Sequence, residues 1–461
     1  MKSIGLDIGT TTICAVLIDA NSGTLLDSVT IENTSTLIGH NAFEKLQDPE
    51  IILKICKSII ASYCLHHTDI ISIGITGQMH GILYLDKEGN AVSPLYTWQD
   101  RRGDEKFDNS HSYAQYMSET TGFPMATGYG LTTHFYNTIQ HIVPLTASTL
   151  CTISDYVAMQ LVNRKKPLLH KSMAASIGLY QLEKDSFSLE AFKKLKLSPD
   201  ILPEVAKEDC VIGSMENNIS VSIALGDNQS SFLASVNDDN SCLINVGTGS
   251  QVSLCTKNLK MFSQIECRPF IADKYLLAGS SLCGGYSYTR LKQFFEKSLS
   301  AFGLDSTLVN YDTMNKLAQN IYGTSNYLKV DTRFRGTRID PTITGSVVNL
   351  NDQNFQPSYL ILGVLQGICN ELYHYYSELY HGSSKPSFLI GSGNGIRKNP
   401  LLQQLFTDTF HLPLKIPAIK EEASFGSALF SLYTCNYLSS IEEIHQRIKY
   451  LNLGVNNNEL D

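Results

Sequence analysis

One pattern occurs twice in this chain and limits the fold more than any other feature. Leu6-Asp7-Ile8-Gly9-Thr10-Thr11-Thr12 near the start is matched by Ile244-Asn245-Val246-Gly247-Thr248-Gly249-Ser250 just past the middle of the 461 residues. Each is an apolar strand carrying a small polar residue, then a Gly-Thr turn that feeds a second apolar strand, at 13–18 and at 251–255. A chance match would be placed anywhere, whereas this one falls at the halfway point, so a duplicated fold is the better explanation. The length agrees, being too great for one compact core and suited to two domains with insertions.

Strand and helix signals alternate up to about residue 235. Residues 49–66 place apolar side chains at helical spacing, and Ile70-Ile71-Ser72-Ile73-Gly74-Ile75 reads as a short buried strand. That alternation predicts an α/β domain. The polar break Asn237-Asp238-Asp239-Asn240-Ser241 predicts a boundary, giving domains at 1–236 and 237–461. The apolar stretch 359–380 fits either a core helix or an interface between two copies, and the tail Asn456-Asn457-Asn458-Glu459 reads as disordered.

Charge and composition exclude several classes. The net charge of −8 gives no basic face for a nucleic-acid backbone, so an anionic ligand would need local cations or backbone N–H groups. No run approaches the roughly 18 apolar residues of a membrane span. Met1-Lys2-Ser3-Ile4-Gly5 leads straight into a strand with no signal-peptide pattern, so the expected location is the cytoplasm. The 11 cysteines are scattered without a Cys-x-x-Cys pair and are expected to be buried thiols rather than disulfides or zinc ligands.

The chain contains no Gly-Lys dipeptide, which removes a Walker A loop, and neither His-Arg-Asp nor Asp-Phe-Gly of protein kinases. The two Gly-Thr turns remain. Glycine lets backbone approach an anion, and threonine adds a hydroxyl donor beside the N–H groups. As isolated hairpin turns they would mean little; at the start of two like domains they are of a kind that could grip a triphosphate from both sides. Asp7, beside the first turn, is either a turn-capping residue or the carboxylate of a Mg²⁺ site acting through water. A third glycine cluster, Leu389-Ile390-Gly391-Ser392-Gly393-Asn394-Gly395, lacks dinucleotide-fingerprint spacing. It suits a flat surface against an adenine ring, or simply a tight strand-to-helix turn.

These pieces together resemble the FGGY carbohydrate kinases of the actin-like sugar-kinase superfamily, over about residues 3–435 and with the motifs in the family's order. The first phosphate motif is Asp7-Ile8-Gly9-Thr10-Thr11. Gly77-Gln78-Met79-His80-Gly81 resembles the sugar loop, and Trp98-Gln99-Asp100-Arg101-Arg102 the Trp-x-Asp-x-Arg element. Ala224-Leu225-Gly226-Asp227-Asn228-Gln229 is similar to the stretch with the catalytic aspartate. Asn245-Val246-Gly247-Thr248-Gly249 corresponds to the second phosphate motif. Gly391-Ser392-Gly393-Asn394 with Asn399 resembles the adenosine motif, and Glu422-Ala423-Ser424-Phe425-Gly426 the closing helix.

The resemblance implies an α/β fold of two actin-like (ribonuclease H-like) domains with a deep interdomain cleft that closes on its ligands. It implies ATP and Mg²⁺, a sugar substrate, and a possible homodimer, with no nucleic-acid or membrane partner. Asp227 would be the base. Gln78, Met79, His80, Trp98, Asp100 and Asn228 would meet the sugar, although Trp98 could equally be a core tryptophan. Thr10, Thr11, Gly247, Thr248, Gly249, Gly393, Asn394 and Asn399 would hold ATP, and Asp7 the hydrated metal. Arg333-Phe334-Arg335-Gly336-Thr337-Arg338 resembles the family's Gly-Glu-Arg loop with Thr337 in place of Glu, leaving the arginines without an assigned role.

Among substrates the resemblance implies a ketose, sedoheptulose ahead of D-xylulose. It rests on Thr97-Trp98-Gln99-Asp100, Thr127-Gly128-Tyr129-Gly130, Ser154-Asp155-Tyr156-Val157 and Ala174-Ala175-Ser176. The family's lysine after the sugar loop is missing, with no lysine between Lys106 and Lys165. A rival of another class is a non-catalytic nucleotide-binding protein on the same fold, which would not require Asp227 or the sugar loop.

Overall fold

The computed structural model describes residues 1–260, 262, 264–337, 340, 342–380 and 386–451. Arg338 and the tail at 456–459 lie outside these described residues. The chain divides into two compact units. The first comprises Met1–Asn237, Arg268–Lys274 and Glu421–Ile448; the second comprises Asp238–Cys267, Tyr275–Lys420 and the chain from Lys449.

The first unit is built on a sheet of β1 (Lys2–Ile8), β2 (Thr12–Asp19), β3 (Leu25–Glu32), β4 (Ile70–Gly77), β5 (Val211–Ser214), β6 (Ser220–Ser222) and β7 (Leu225–Gly226), in the order β3-β2-β1-β4-β6-β5. The β3-β2-β1 part is antiparallel, and β4 joins β1 in parallel. Both β6 and β7 lie parallel to β4, with β7 against its last residues Thr76 and Gly77. The near-continuous apolar runs of β1 and β4 follow from burial on both faces. The crossover to β4 is the helix Pro49–His66. Asp48 caps it by accepting the N–H groups of Glu50 and Ile51, Pro49 fills the first turn, and Ile52, Leu53, Cys56, Ile59, Ile60 and Tyr63 form its buried stripe.

Residues Glu421–Ile448 separate from the 237–461 domain drawn from the sequence and belong to the first unit. The reason is a seam of small residues. A Cβ on Gly5 would lie 1.8 Å from the Ser424 carbonyl oxygen, and one on Gly74 equally close to that of Ser427. Only glycine on β1 and β4 lets the helix Glu422–Thr434 lie directly on the sheet. Ser3, Ser72 and Ser431 then exchange buried hydroxyl hydrogen bonds of 2.8–3.0 Å across that contact.

The second unit repeats the plan. Its strands β8 (Cys242–Val246), β9 (Ser250–Thr256), β10 (Tyr275–Ser281), β11 (Leu389–Ser392) and β12 (Leu414–Lys415) stand in the order β10-β9-β8-β11-β12. The β10-β9-β8 part is antiparallel and β11 and β12 continue in parallel, as β3-β2-β1 is followed by β4 and β6. The helix Pro357–Tyr380 buries Ile361, Leu365, Ile368 and Leu372 in this unit's core, so the apolar stretch from 359 is core. All the cysteines are free thiols, and among the described residues no helix is long and apolar enough to cross a membrane.

Candidate active site

Three strand ends of the first unit converge. Asp7 is the penultimate residue of β1, Gln78–His80 follow β4, and Asp227 follows β7 as the first residue of the helix Asp227–Ser235. The Thr76 hydroxyl donates to the Leu225 carbonyl at 2.7 Å and fixes β7 against β4. Burial, opposed by the Asn228 N–H and the Arg268 charge, pushes the Asp227 carboxyl up to about 6. Burial also pushes Asp7 up to about 7, reinforced by the charges of Asp227 and Glu421. Asp227 is thus mostly ionised near neutrality yet basic enough to take a proton, the condition for a general base.

The repulsion that Asp227 and Glu421 exert on Asp7 is what a hard cation would relieve, and carboxylate oxygens are its preferred donors. Among the described residues no three acidic or ligating side chains stand at direct metal-ligand spacing. Mg²⁺ keeps most of its water and binds through one or two carboxylates and phosphates. Asp7, buried and facing the charges of Asp227 and Glu421, is the carboxylate such an ion would fit.

The first Gly-Thr turn is held from behind. Asn33 Nδ2 donates to the Gly9 carbonyl at 2.9 Å and Gln47 Nε2 to that of Thr10 at 2.8 Å. In trans peptides this directs the N–H groups of Thr10 and Thr11 away from Asn33 and Gln47. The Thr10 hydroxyl donates to Gln78 Oε1 at 3.4 Å and accepts the Trp98 indole N–H at 3.0 Å, while Gln78 Nε2 donates to Gln47 Oε1 at 2.8 Å. Trp98 is 47% exposed, which decides against a core tryptophan. Gln78 is buried, with both ends of its amide committed to this ring of contacts, so it braces the turn.

His80 adopts φ of 74°, an uncommon backbone for a side chain of its size. Its Nδ1 donates to the Ser176 carbonyl at 2.7 Å, and its ring stacks on Tyr129 at 4.8 Å. Nε2 is therefore the acceptor nitrogen of the neutral ring. Met79 is buried and packs toward Gly226, and Asn228 follows Asp227 in the same helical turn.

Asp100 does not take the sugar-facing place read from the sequence. It is fully buried, and Arg102, 1% exposed, donates to it from Nε at 2.7 Å and from a terminal nitrogen at 3.0 Å. Lys45 N–H adds a contact at 3.1 Å, so the carboxylate has no face left for a ligand. Arg102 in turn covers the Tyr96 ring at 4.3 Å. This ion pair fixes the loop that carries Trp98.

The second unit carries its own turn. Gly247 and Thr248 are exposed at the end of β8, and the Gly247 N–H donates to the Gly249 carbonyl at 3.0 Å. The helix Gly284–Ala301 starts against this turn, its Gly285 and Tyr286 N–H groups donating to the Gly247 and Thr248 carbonyls at 2.9 and 2.8 Å. The glycine cluster packs on the same strand. Gly393 has φ of 81°, and a Cβ there would stand 2.6 Å from the Val246 carbonyl oxygen. Asn394 is exposed beside it.

Asn399 is corrected by the structure. It caps the helix Pro400–Phe410, its oxygen accepting the Leu402 N–H at 3.1 Å and its amide donating to Asn315 at 3.0 Å. A buried side chain with both polar ends engaged shapes the glycine turn and is not free to meet adenosine. Arg333 is paired with Asp331 at 2.6 Å, and Arg335 lies 3.8 Å over the Tyr286 ring.

Sequence reading missed Asn33, Gln47, Arg268 and Glu421. None carries a local signal, because each acts on residues far away in the chain. Glu421, next to the closing-helix motif, was the nearest to being found.

With this geometry in hand, comparison with known proteins is direct. The chain matches the model of the FGGY family of carbohydrate kinases, N-terminal domain, over residues 3–241 and C-terminal domain over 242–435. It is 24% identical to the sedoheptulokinase of Mus musculus over 93% of this chain and 97% of the relative. To the xylulose kinase of Staphylococcus xylosus it is 22% identical, over 96% of this chain and 93% of the relative. Among solved structures it is similar to a ligand-bound xylulose kinase from Lactobacillus acidophilus, with TM-score 0.82, 22% identity and coverage of 98% and 93%. A gluconate kinase from the same organism gives TM-score 0.84 at 22% identity, covering 98% and 92%. The chain therefore belongs to the FGGY family of carbohydrate kinases, ATP-dependent phosphotransferases that act on sugars.

Proposed function

We propose that this chain phosphorylates a ketose, converting sedoheptulose to sedoheptulose 7-phosphate, with Asp227 as the general base. The observation that carries the mechanism is Asp227 at the first turn of its helix, held at about 6 next to Asp7. A sugar hydroxyl gives its proton to the Asp227 carboxylate as its oxygen bonds to the γ-phosphorus. The bond from that phosphorus to the β-phosphate bridging oxygen breaks, and ADP leaves. Proton removal of this kind is worth roughly 10²–10⁴-fold. Most of the remaining acceleration comes from alignment and charge neutralisation.

In this reading Thr10, Thr11, Gly247, Thr248 and Gly249 hold the phosphates, and Gly393 and Asn394 form the adenosine surface. His80, Trp98 and Asn228 meet the sugar, Gln78 and Asp100 brace the first turn and the Trp98 loop, and Asn399 braces the glycine turn. Mg²⁺ at Asp7, when bound, would neutralise phosphate charge.

The likeness to the mouse sedoheptulokinase over nearly the whole chain supports the heptulose. D-xylulose is the second reading, favoured by the comparable identity to the Staphylococcus xylosus enzyme. The test is ADP release with Mg-ATP over sedoheptulose, D-xylulose, L-ribulose, D-ribulose and glycerol, beside Asp227→Ala. Best turnover on sedoheptulose that disappears in the variant is expected. Preference for another ketose overturns the substrate alone. Full activity without Asp227 overturns the mechanism.

A further inference from the structure

The short helix Lys171–Ser176 adds no residue to the site, yet it holds two parts of it. Near its start, Ser172 Oγ accepts the N–H of Gly226, the residue directly before Asp227, at 3.1 Å. At its end, Ser176 accepts the His80 Nδ1–H on its carbonyl at 2.7 Å and the His80 backbone N–H on its hydroxyl at 3.3 Å. One rigid turn and a half, roughly 9 Å long, therefore spans from the base to the sugar loop. The conformation of His80, with positive φ, persists only where surrounding contacts impose it.

The helix is itself latched at its front. His170 caps it, Nδ1 accepting the Ser172 N–H at 3.1 Å and lying 2.7 Å from the Ser172 hydroxyl. Because Nδ1 is an acceptor, the proton of the neutral ring sits on Nε2 and is donated to Asp209 Oδ1 at 2.9 Å. The other Asp209 oxygen accepts the Ala272 N–H at 2.7 Å. Ser172 then donates to His170 while accepting from Gly226, so the hydrogen bonds run unbroken from Asp209 to the backbone beside Asp227. His170 and Ser172 are themselves buried, at 2% and 1% exposure. Lys171 pins the same turn with ion pairs of 2.9 Å to Asp185 and Asp273.

We propose that Asp209, His170 and Ser172 are positioning residues for phosphoryl transfer: they clamp the helix Lys171–Ser176 and so set the placement of the Asp227 carboxylate relative to His80. None of the three touches substrate. The inference rests on the reading of Asp227 as the base. A buried Asp-His-Ser chain that only stabilised the fold would have no need to end on the residue before Asp227.

The test compares Ser172→Ala, Ser172→Thr, Asp209→Ala and Asp209→Asn with Asp227→Asn, by steady-state kinetics on the best ketose and by thermal melting. Loss of alignment without loss of a reacting group is expected to lower kcat about 10- to 100-fold in Ser172→Ala. The KM for ATP should stay within about two-fold, since the hydrogen bonds of the latch run to Gly226 and Asp209. Threonine keeps the hydroxyl and should restore most of kcat; Asp209→Ala should fall and Asp209→Asn partly recover. A cavity of about 220 Å³ beside His170 and Asp209 lets water enter when the carboxylate is removed, so Asp209→Ala serves if Ser172→Ala does not fold.

Wild-type kcat in both alanine variants overturns the proposal. So does a kcat loss that merely follows the loss of melting temperature and is not rescued by threonine. Activity retained in Asp227→Asn overturns the base itself. An inactive Asp227→Asn beside intact alanine variants overturns the latch alone.

Discussion

Asp227→Asn separates what the base does for turnover from what it does to the fold. Burial pushes this carboxyl from 3.8 to about 6, so the folded chain holds it charged only at a cost. Above pH 6 that cost is at most about 3 kcal/mol relative to the unfolded chain. The sign follows from proton binding. Between about pH 4 and pH 6 the folded state binds the proton more tightly than the unfolded state. Stability contributed by this group therefore falls as pH rises through that window and levels above it. Asparagine has the same shape, can still accept the Asn228 N–H, and carries no charge. At pH 7.5 Asp227→Asn is thus expected to be more stable than the parent by about 1–3 kcal/mol, the difference closing toward pH 4.

Asp7 adds to the gain. Burial and the Asp227 charge hold it at about 7, and neutralising Asp227 removes the second of these. Turnover should fall by about 10²–10⁴-fold in the same variant. The assay is urea unfolding of the ligand-free, metal-free protein at pH 4.5, 6 and 7.5, beside ADP release at saturating sugar and ATP. A variant no more stable at pH 7.5, or one whose gain does not change with pH, would refute the reasoning about burial. An undiminished rate would refute the assignment of the base.

Gly74→Ala puts a Cβ 1.8 Å from the Ser427 carbonyl oxygen, so the closing helix must lift from the sheet. Thermal unfolding should show a loss of at least about 1–3 kcal/mol, and unchanged melting would refute the small-residue seam. Trp98 is the only tryptophan, half exposed and bonded to Thr10, so its emission reports this site and, without nucleotide present, its sugar side. A turned-over ketose should change that emission in the absence of nucleotide, and no change would remove Trp98 from the sugar contacts. Asn399→Ala should lower helix stability by about 1 kcal/mol while leaving the KM for ATP within about two-fold. A large rise in that KM would return the side chain to adenosine.

The sequence by itself determined the plan of the protein and pointed to the groups proposed to react. The paired strand–Gly-Thr–strand segments at 6–12 and 244–250 are β1–β2 and β8–β9, and the sheets around them share one strand order. Asp7, Asp227 and both turns were legible because each depends on a few successive residues at a strand end, where periodicity and turn chemistry are local. The tertiary structure decided which side chains remain available for ligands. Asp100 stands in a recognisable motif beside Trp98, yet Arg102 and Lys45 close over it. Gln78 and Asn399 are likewise taken by Gln47 and by the helix at Pro400. The closing helix joins the first unit because glycines at 5 and 74 admit it, and Ser172 reaches Gly226 across 54 residues. A residue's type and neighbours state what chemistry it can do. Whether its polar atoms are spent inside the protein depends on partners tens to hundreds of positions away, which no local pattern encodes.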